Sequence, residues 1–165
     1  MKKINKIRLF SLGIISVMLV ADQVIKYFVD IYLKPVSVKM LVPGFIQLHY
    51  FENDGAMMGM MSGKTEIMTV ASVICMLLIL AVILSGKFKF GVDYVCIVFM
   101  AAGGLGNIID RVFRGYVIDY IEVLFVDFYI FNFADCLVTC SAFVIIFYKI
   151  YSVYKEYKNK KEKNV

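Results

Sequence analysis

The sequence predicts an all-α membrane protein, with four transmembrane helices and a small extracytoplasmic β-element between helices 1 and 2. Three observations carry that expectation. Of 165 residues, 61% are hydrophobic and only 19% are charged, whereas an ordinary soluble domain is about 45–50% apolar and about 25% charged. The apolar residues fall into four uncharged runs, and the one at 67–86 is long enough to cross hydrocarbon as a helix. Between the first two runs, VSVKM and FIQLHYF flank Pro43-Gly44, a strong turn dipeptide.

The elements follow in order. LFSLGIISVMLVA continues past Asp22 through Val24, Ile25 and Tyr27, which predicts a helix over about 9–29. The basic KKINKIR before it resembles a signal-peptide start, but no small-x-small cleavage site follows, so the helix is expected to be retained. Next, Ile46, Leu48 and Tyr50 alternate with Gln47 and His49, the period of a half-buried strand. The β-element is expected over about 35–52. NDGAMMGMMSGK at 53–64 reads either as an adaptable methionine-rich lip or as ordinary loop packing. IMTVASVICMLLILAVILSG predicts helix 2 over 66–86, and YVCIVFMAAGGLGNII predicts helix 3 over 93–112. CLVTCSAFVIIFY, extended at both ends, predicts helix 4 over 134–153, followed by a basic tail at 155–165. No Ser/Gly/Pro-rich linker interrupts the chain, so 1–165 is expected to be a single domain.

Charge sets the orientation. Net charge is +5, and with the N-terminus inside, twelve of the eighteen basic residues lie in inner segments. Both termini are therefore expected on the cytoplasmic side. Basic ends flanking apolar spans are a topology signal and an attraction to anionic lipid, not a nucleic-acid footprint. Cys75, Cys96, Cys136 and Cys140 all lie within apolar runs and His49 stands apart, so neither a metal site nor a cofactor is expected.

In this orientation the polar residues gather at the outer membrane face, with Asp22, Asp110 and Asp135 at the outer ends of helices 1, 3 and 4. Ionisable residues near lipid are costly unless paired. Asp22 and Lys26 are spaced to pair on one helix face, and Asn107, Asp110 and Arg111 share another. Arg111 can neutralise Asp110 or hold a backbone carbonyl. Both clusters read as scaffolding. Asp119 and Asp135 differ, because neither has a basic neighbour in sequence. A fold-back of the chain between helices 3 and 4 can bring them together. Two adjacent carboxylates then share a proton, so that one activates water and the other polarises a carbonyl.

These residues carry a resemblance to the bacterial lipoprotein signal peptidases (signal peptidase II), a family of membrane-embedded aspartic peptidases. Asp22-Gln23 with Lys26 resembles the first-helix motif, and Asn53-Asp54-Gly55-Ala56 the Asn-x-Gly motif. Gly103-Gly104 with Asn107, Asp110 and Arg111 resembles the third-helix motif. VIDYI at 117–121 and FNFAD at 131–135 resemble the two segments bearing the catalytic aspartates. The departures are Met58 where an aromatic residue is common, Tyr120 for a common Phe, and a missing proline near Tyr129. They bear on pocket shape rather than on the reacting groups.

The resemblance implies Asp119 and Asp135 as the catalytic dyad. It implies Asn53, Gly55, Asn107, Arg111, Asn132 and Ala134 as substrate-binding or site-shaping residues, and Asp22, Lys26 and Asp110 as supports. The implied substrate is a diacylglyceryl-modified prolipoprotein, cleaved just before its lipidated cysteine. The implied setting is a monomer in lipid, multi-pass in the bacterial cytoplasmic membrane, with its site near the outer face. A proton-coupled exporter would need a carboxylate at mid-membrane, and the predicted spans carry no charge at their middles. A thiol oxidase would need cysteine pairs in the outer loops, and a purely structural protein leaves five ordered motifs unexplained.

Overall fold

A computed structural model describes residues 2–55, 65–85, 90–126 and 128–163. It contains α1 (Lys2–Tyr32), β1 (Val38–Val42), β2 (Ile46–Asn53), α2 (Thr65–Ser85), α3 (Val92–Arg114), β3 (Val117–Val123) and α4 (Phe133–Lys163). All four helices are long and apolar enough to cross a membrane. The Met-rich segment, expected as a lip or a packed loop, lies almost wholly outside the described residues.

Two helices exceed their expected bounds. α1 and α4 have 31 residues each, about 46 Å at 1.5 Å per residue, so both project beyond a hydrocarbon core of about 30 Å. The segment expected as a basic tail is helical through Lys163. Its Lys and Glu residues are good helix formers, and Glu156–Lys160 and Lys158–Glu162 pair at i,i+4, at 2.8 and 3.9 Å. α3 stops where Gly115 adopts φ 82°, a left-handed conformation that glycine takes without strain, and the Gly115 N–H caps the carbonyl of Arg111.

α3 is the central helix and packs against α1, α2 and α4. Its buried Tyr94, Val98, Ala101 and Ala102 form a core with Ile15, Met76 and Ile83. Lipid gives helices no hydrophobic drive to associate, so close backbone approach over small residues matters. A Cβ on Gly103 would stand 2.4 Å from the Ala134 carbonyl oxygen, and one on Gly106 would stand 2.4 Å from Asp22 Oδ2. These glycines are what bring α4 and α1 against α3.

The β-element is larger than expected. It is a three-stranded antiparallel sheet in the order β1-β2-β3, and its third strand comes from the connection between α3 and α4. VIDYIEV is rich in β-branched and aromatic residues, a strand signal that its carboxylates obscure. Ile118 and Tyr120 seat the sheet on Val29 and Leu33 at the end of α1. At the opposite end of the bundle, Arg8 donates to the Leu84 carbonyl at the end of α2, and Lys149 pairs with Asp93.

Candidate active site

A register shift in the sheet sets up the site. Leu48 pairs with Ile121, but Phe51 pairs with Asp119 and Asn53 with Val117, so β2 holds one extra residue between Leu48 and Phe51. Opposed residues in an antiparallel pair point to one face, and a one-residue slip reverses faces. Without the bulge Asn53 would point away from Asp119. With it, the Asn53 side-chain amide donates to Asp119 Oδ2 at 2.7 Å. The Gly55 N–H donates to Asn53 Oδ1 at 3.0 Å, which holds the amide in that orientation.

The fold-back expected between Asp119 and Asp135 has a definite form. Phe131 bridges to Ile121, exchanging backbone hydrogen bonds of 2.7 and 3.0 Å, so the returning chain lies along β3. α4 then begins at once, with Asn132 as its N-cap. Asn132 Oδ1 accepts the Asp135 N–H at 2.9 Å, while Asp135 Oδ2 accepts the Asn132 N–H at 3.2 Å. This reciprocal pair is a capping box. It leaves the Asn132 amide N–H groups free to donate to Asp119 Oδ1 at 2.6 Å and to Asn107 Oδ1 at 3.1 Å. Asn107 in turn donates to Asp135 Oδ1 at 2.8 Å. Two asparagines thus tie the carboxylates together.

Behind Asn107 lies a fully buried ionic cluster. Lys26 reaches Asp22 Oδ2 at 2.9 Å, Asp110 Oδ2 at 2.8 Å and Asn107 Oδ1 at 3.0 Å, and all three charged side chains are 0% exposed. Gln23 adds donors to Asp22, Asp110 and the Gly106 carbonyl. Of the two roles expected of Arg111, neutralising Asp110 falls to other residues. Asp110 is neutralised by Lys26 and, from the next turn, by Arg114 at 3.4 Å, not by Arg111. Arg111 instead lines the cleft with Asp119 and Asp135, and its buried Nε has no hydrogen-bond partner among the described residues.

The placement of Asp22 is also corrected. α1 continues ten residues beyond it to Tyr32, so Asp22 lies near the middle of the apolar span Lys6–Tyr32 rather than at a helix end. The middles of the spans are therefore not all uncharged; α1 tolerates the carboxylate because Lys26 neutralises it. Asp110 stands four residues before the end of α3, whereas Asp135 is the third residue of α4. Asp110 and Asp135 therefore both sit within about one turn of the end of the bundle that carries the sheet.

Asn53, Gly55, Asn107, Arg111, Asp119 and Asp135 share one cavity of about 550 Å³. Its remaining wall is mostly apolar, including Met68, Met76 and Ile79 of α2 and Met100 of α3. Asn132 sits fully buried behind the carboxylates, and Ala134, 0% exposed, packs into the α3–α4 seam rather than onto the cavity wall. Tyr129 also lines the cavity. In the sequence it stands out only by its nearness to a missing proline, and no motif marks it.

Burial pushes the Asp119 carboxyl up to about 7, and the negative charge of Asp135 adds to that, against the Asn53 and Asn132 hydrogen bonds. Asp119 is 2% exposed. A group that titrates near neutrality inside a cavity is suited to proton transfer. On the rim, Tyr50 Oη bridges Asp30 at 2.9 Å and Glu52 at 3.0 Å. Burial and these two carboxylates raise the Tyr50 hydroxyl, while the Lys34 hydrogen bond holds Glu52 below its ordinary value. This latch fastens β2, one residue before Asn53, to the end of α1.

The family described as signal peptidase (SPase) II matches residues 14–151 of the chain. The lipoprotein signal peptidase of Lactococcus lactis subsp. cremoris MG1363 is 38% identical over 142 residues, 85% of this chain and 92% of that one. That of Staphylococcus aureus RF122 is 32% identical over 157 residues, 94% of each. Among solved structures, a bacterial membrane enzyme determined in meso at 2.3 Å superposes with a TM-score of 0.76, at 31% identity over 94% of each chain. A second, determined at 1.9 Å, gives 0.71 at 30% identity over 84% of this chain and 90% of that one.

Proposed function

The chain belongs to the signal peptidase II family, and from that premise we propose that it is an aspartic endopeptidase using Asp119 and Asp135. Its substrate is a prolipoprotein carrying a diacylglyceryl group on cysteine, and the bond cut is the one just before that cysteine. The observation that supports this reading most directly is the linkage of the two carboxylates by Asn107 and Asn132 on the wall of a largely apolar cavity.

The reaction consumes one water. The ionised carboxylate takes a proton from that water as its oxygen bonds to the scissile carbonyl carbon. The protonated carboxylate gives its proton to the carbonyl oxygen, forming a neutral gem-diol. On collapse, the C–N bond breaks, the nitrogen leaves as an amine with a proton from the first carboxylate, and a diol hydroxyl returns a proton to the second. The dyad ends as it began. In this reading the Arg111 Nε, unpartnered among the described residues, and the Asn53 and Gly55 turn hold substrate backbone, while the Met-lined wall takes the lipid and signal-peptide side chains. Water must reach the carboxylates while the acyl chains stay in hydrocarbon. An opening at the outer membrane face, with both termini inside, meets both needs.

The test is cleavage of a prolipoprotein, with and without its diacylglyceryl group, by purified protein in detergent without added metal. Wild type is expected to cut the lipidated form alone, and Asp119→Asn and Asp135→Asn to lose more than about 1,000-fold in turnover, as expected when an essential acid–base group is removed. Near-normal turnover in either variant overturns the dyad.

A further inference from the structure

We propose that Lys26 is a positioning residue that settles which carboxylate is ionised. Acting through the Asn107 amide, it makes Asp135 the general base and leaves the shared proton on Asp119. This assignment of the two roles rests on the peptidase reading above and deepens it.

Counting donors fixes the amide directions. A lysine ammonium has three N–H donors and no acceptor, and all three of Lys26 are committed, to Asp22, Asp110 and Asn107 Oδ1. Asn107 must therefore turn its oxygen toward Lys26, and its NH₂ must point the other way, onto Asp135 Oδ1. The orientation of Asn132 is fixed independently, because its Oδ1 caps the Asp135 N–H. The amide directions around the dyad are thus set by one cation and one helix cap.

Both carboxylates accept two N–H groups, so donor number alone does not separate them. Asp119 accepts from Asn53 and Asn132, and Asp135 from Asn107 and the Asn132 backbone. Their settings do separate them. Asp135 is the third residue of α4, within the helix N-terminal turn that stabilises an anion. Asp119 lies on a strand, which offers no such dipole. Asp135, unlike Asp119, receives the amide that Lys26 polarises.

The other charges nearby do not reverse this. Arg111 acts on both carboxylates from the cleft wall. Asp22 and Asp110 are balanced by Lys26 and Arg114. Tyr120, whose hydroxyl accepts the Phe133 N–H, Tyr129 and the Cys136 thiol are uncharged near neutral pH.

The experiment is the pH profile of kcat/KM for prolipoprotein cleavage, in which the acid limb reports ionisation of the base. Lys26→Met leaves two buried carboxylates with less compensation, so it is paired with Asp22→Asn to keep the buried charge unchanged. Lys26→Arg is the conservative variant, and Asp119→Asn and Asp135→Asn run alongside. In Lys26→Met/Asp22→Asn the acid limb is expected to move up by about one pH unit, a loss of about tenfold on that limb that lessens as pH rises toward the alkaline limb. The alkaline limb is expected to move less, KM to stay within about twofold, and Lys26→Arg to restore the acid limb. A uniform loss with both limbs unmoved makes Lys26 purely structural and overturns the proposal while the dyad stands. Should the double variant not fold, Lys26→Gln/Asp22→Asn, which keeps a polar side chain and the same buried charge, replaces it, and both limbs unmoved there overturns the proposal equally. Turnover surviving in Asp119→Asn or Asp135→Asn is the separate result that removes the peptidase reading beneath it.

Discussion

Replacing Asp119 by asparagine should remove activity yet stabilise the protein in alkali. The carboxyl is pushed up to about 7 from an ordinary value of 3.8, and each pH unit corresponds to about 1.4 kcal/mol. Between those pH values the folded state binds the proton more tightly than the unfolded chain does. The resulting stabilisation is complete below the unfolded value and is lost as pH rises through about 7. That difference sets a ceiling of about 4 kcal/mol on what wild type loses and the variant does not. Against this, both Asp119 oxygens accept amide N–H groups. An asparagine side chain in place of the carboxylate sets its NH₂ against one of those donors, at a cost of about 1–3 kcal/mol at every pH.

The variant should therefore unfold more readily than wild type at about pH 4 and less readily at about pH 8, with the order crossing between. Thermal unfolding of both proteins in one detergent at the two pH values measures this. A difference of the same sign and size at both refutes the reasoning, because Asp119 would then carry no linked proton.

Two further outcomes test the frame that holds the site. Gly103→Ala places a Cβ 2.4 Å from a backbone oxygen of α4, whereas the Cβ of Gly104→Ala meets only the flexible end of Met76 at 2.6 Å. The first should cost about 1–3 kcal/mol or more by overpacking and depress cleavage by parting Asn107 from Asp135; the second should cost less than about half as much in the same melting and turnover assays. Tyr50→Phe removes the bridge between Asp30 and Glu52 and should cost about 0.5–1.5 kcal/mol of stability. Cleavage should fall only a few-fold, since β3 and the Gly55 turn still hold Asn53; a complete loss would show that the latch carries the strand alone.

The sequence by itself determined the four spans, because about twenty uncharged apolar residues have few other solutions, and it marked out the polar residues that the fold gathers around one cleft, because costly carboxylates in such a chain stand out. Asp22 and Lys26 were legible as a pair through their i,i+4 spacing, and Asp119 and Asp135 as the carboxylates without basic neighbours. Tertiary structure decided what spacing cannot reach. Arg111 and Arg114 lie three residues apart on one helix, yet one faces the cleft and the other neutralises Asp110, and only the position of α1 separates their roles. The β2 bulge that turns Asn53 toward Asp119 depends on pairing with a strand more than sixty residues away. The directions of the Asn107 and Asn132 amides were equally out of reach. A hydrogen bond has a sense as well as a place, and that sense is set here by a lysine on α1 and by the first turn of α4, which come together only in the folded chain.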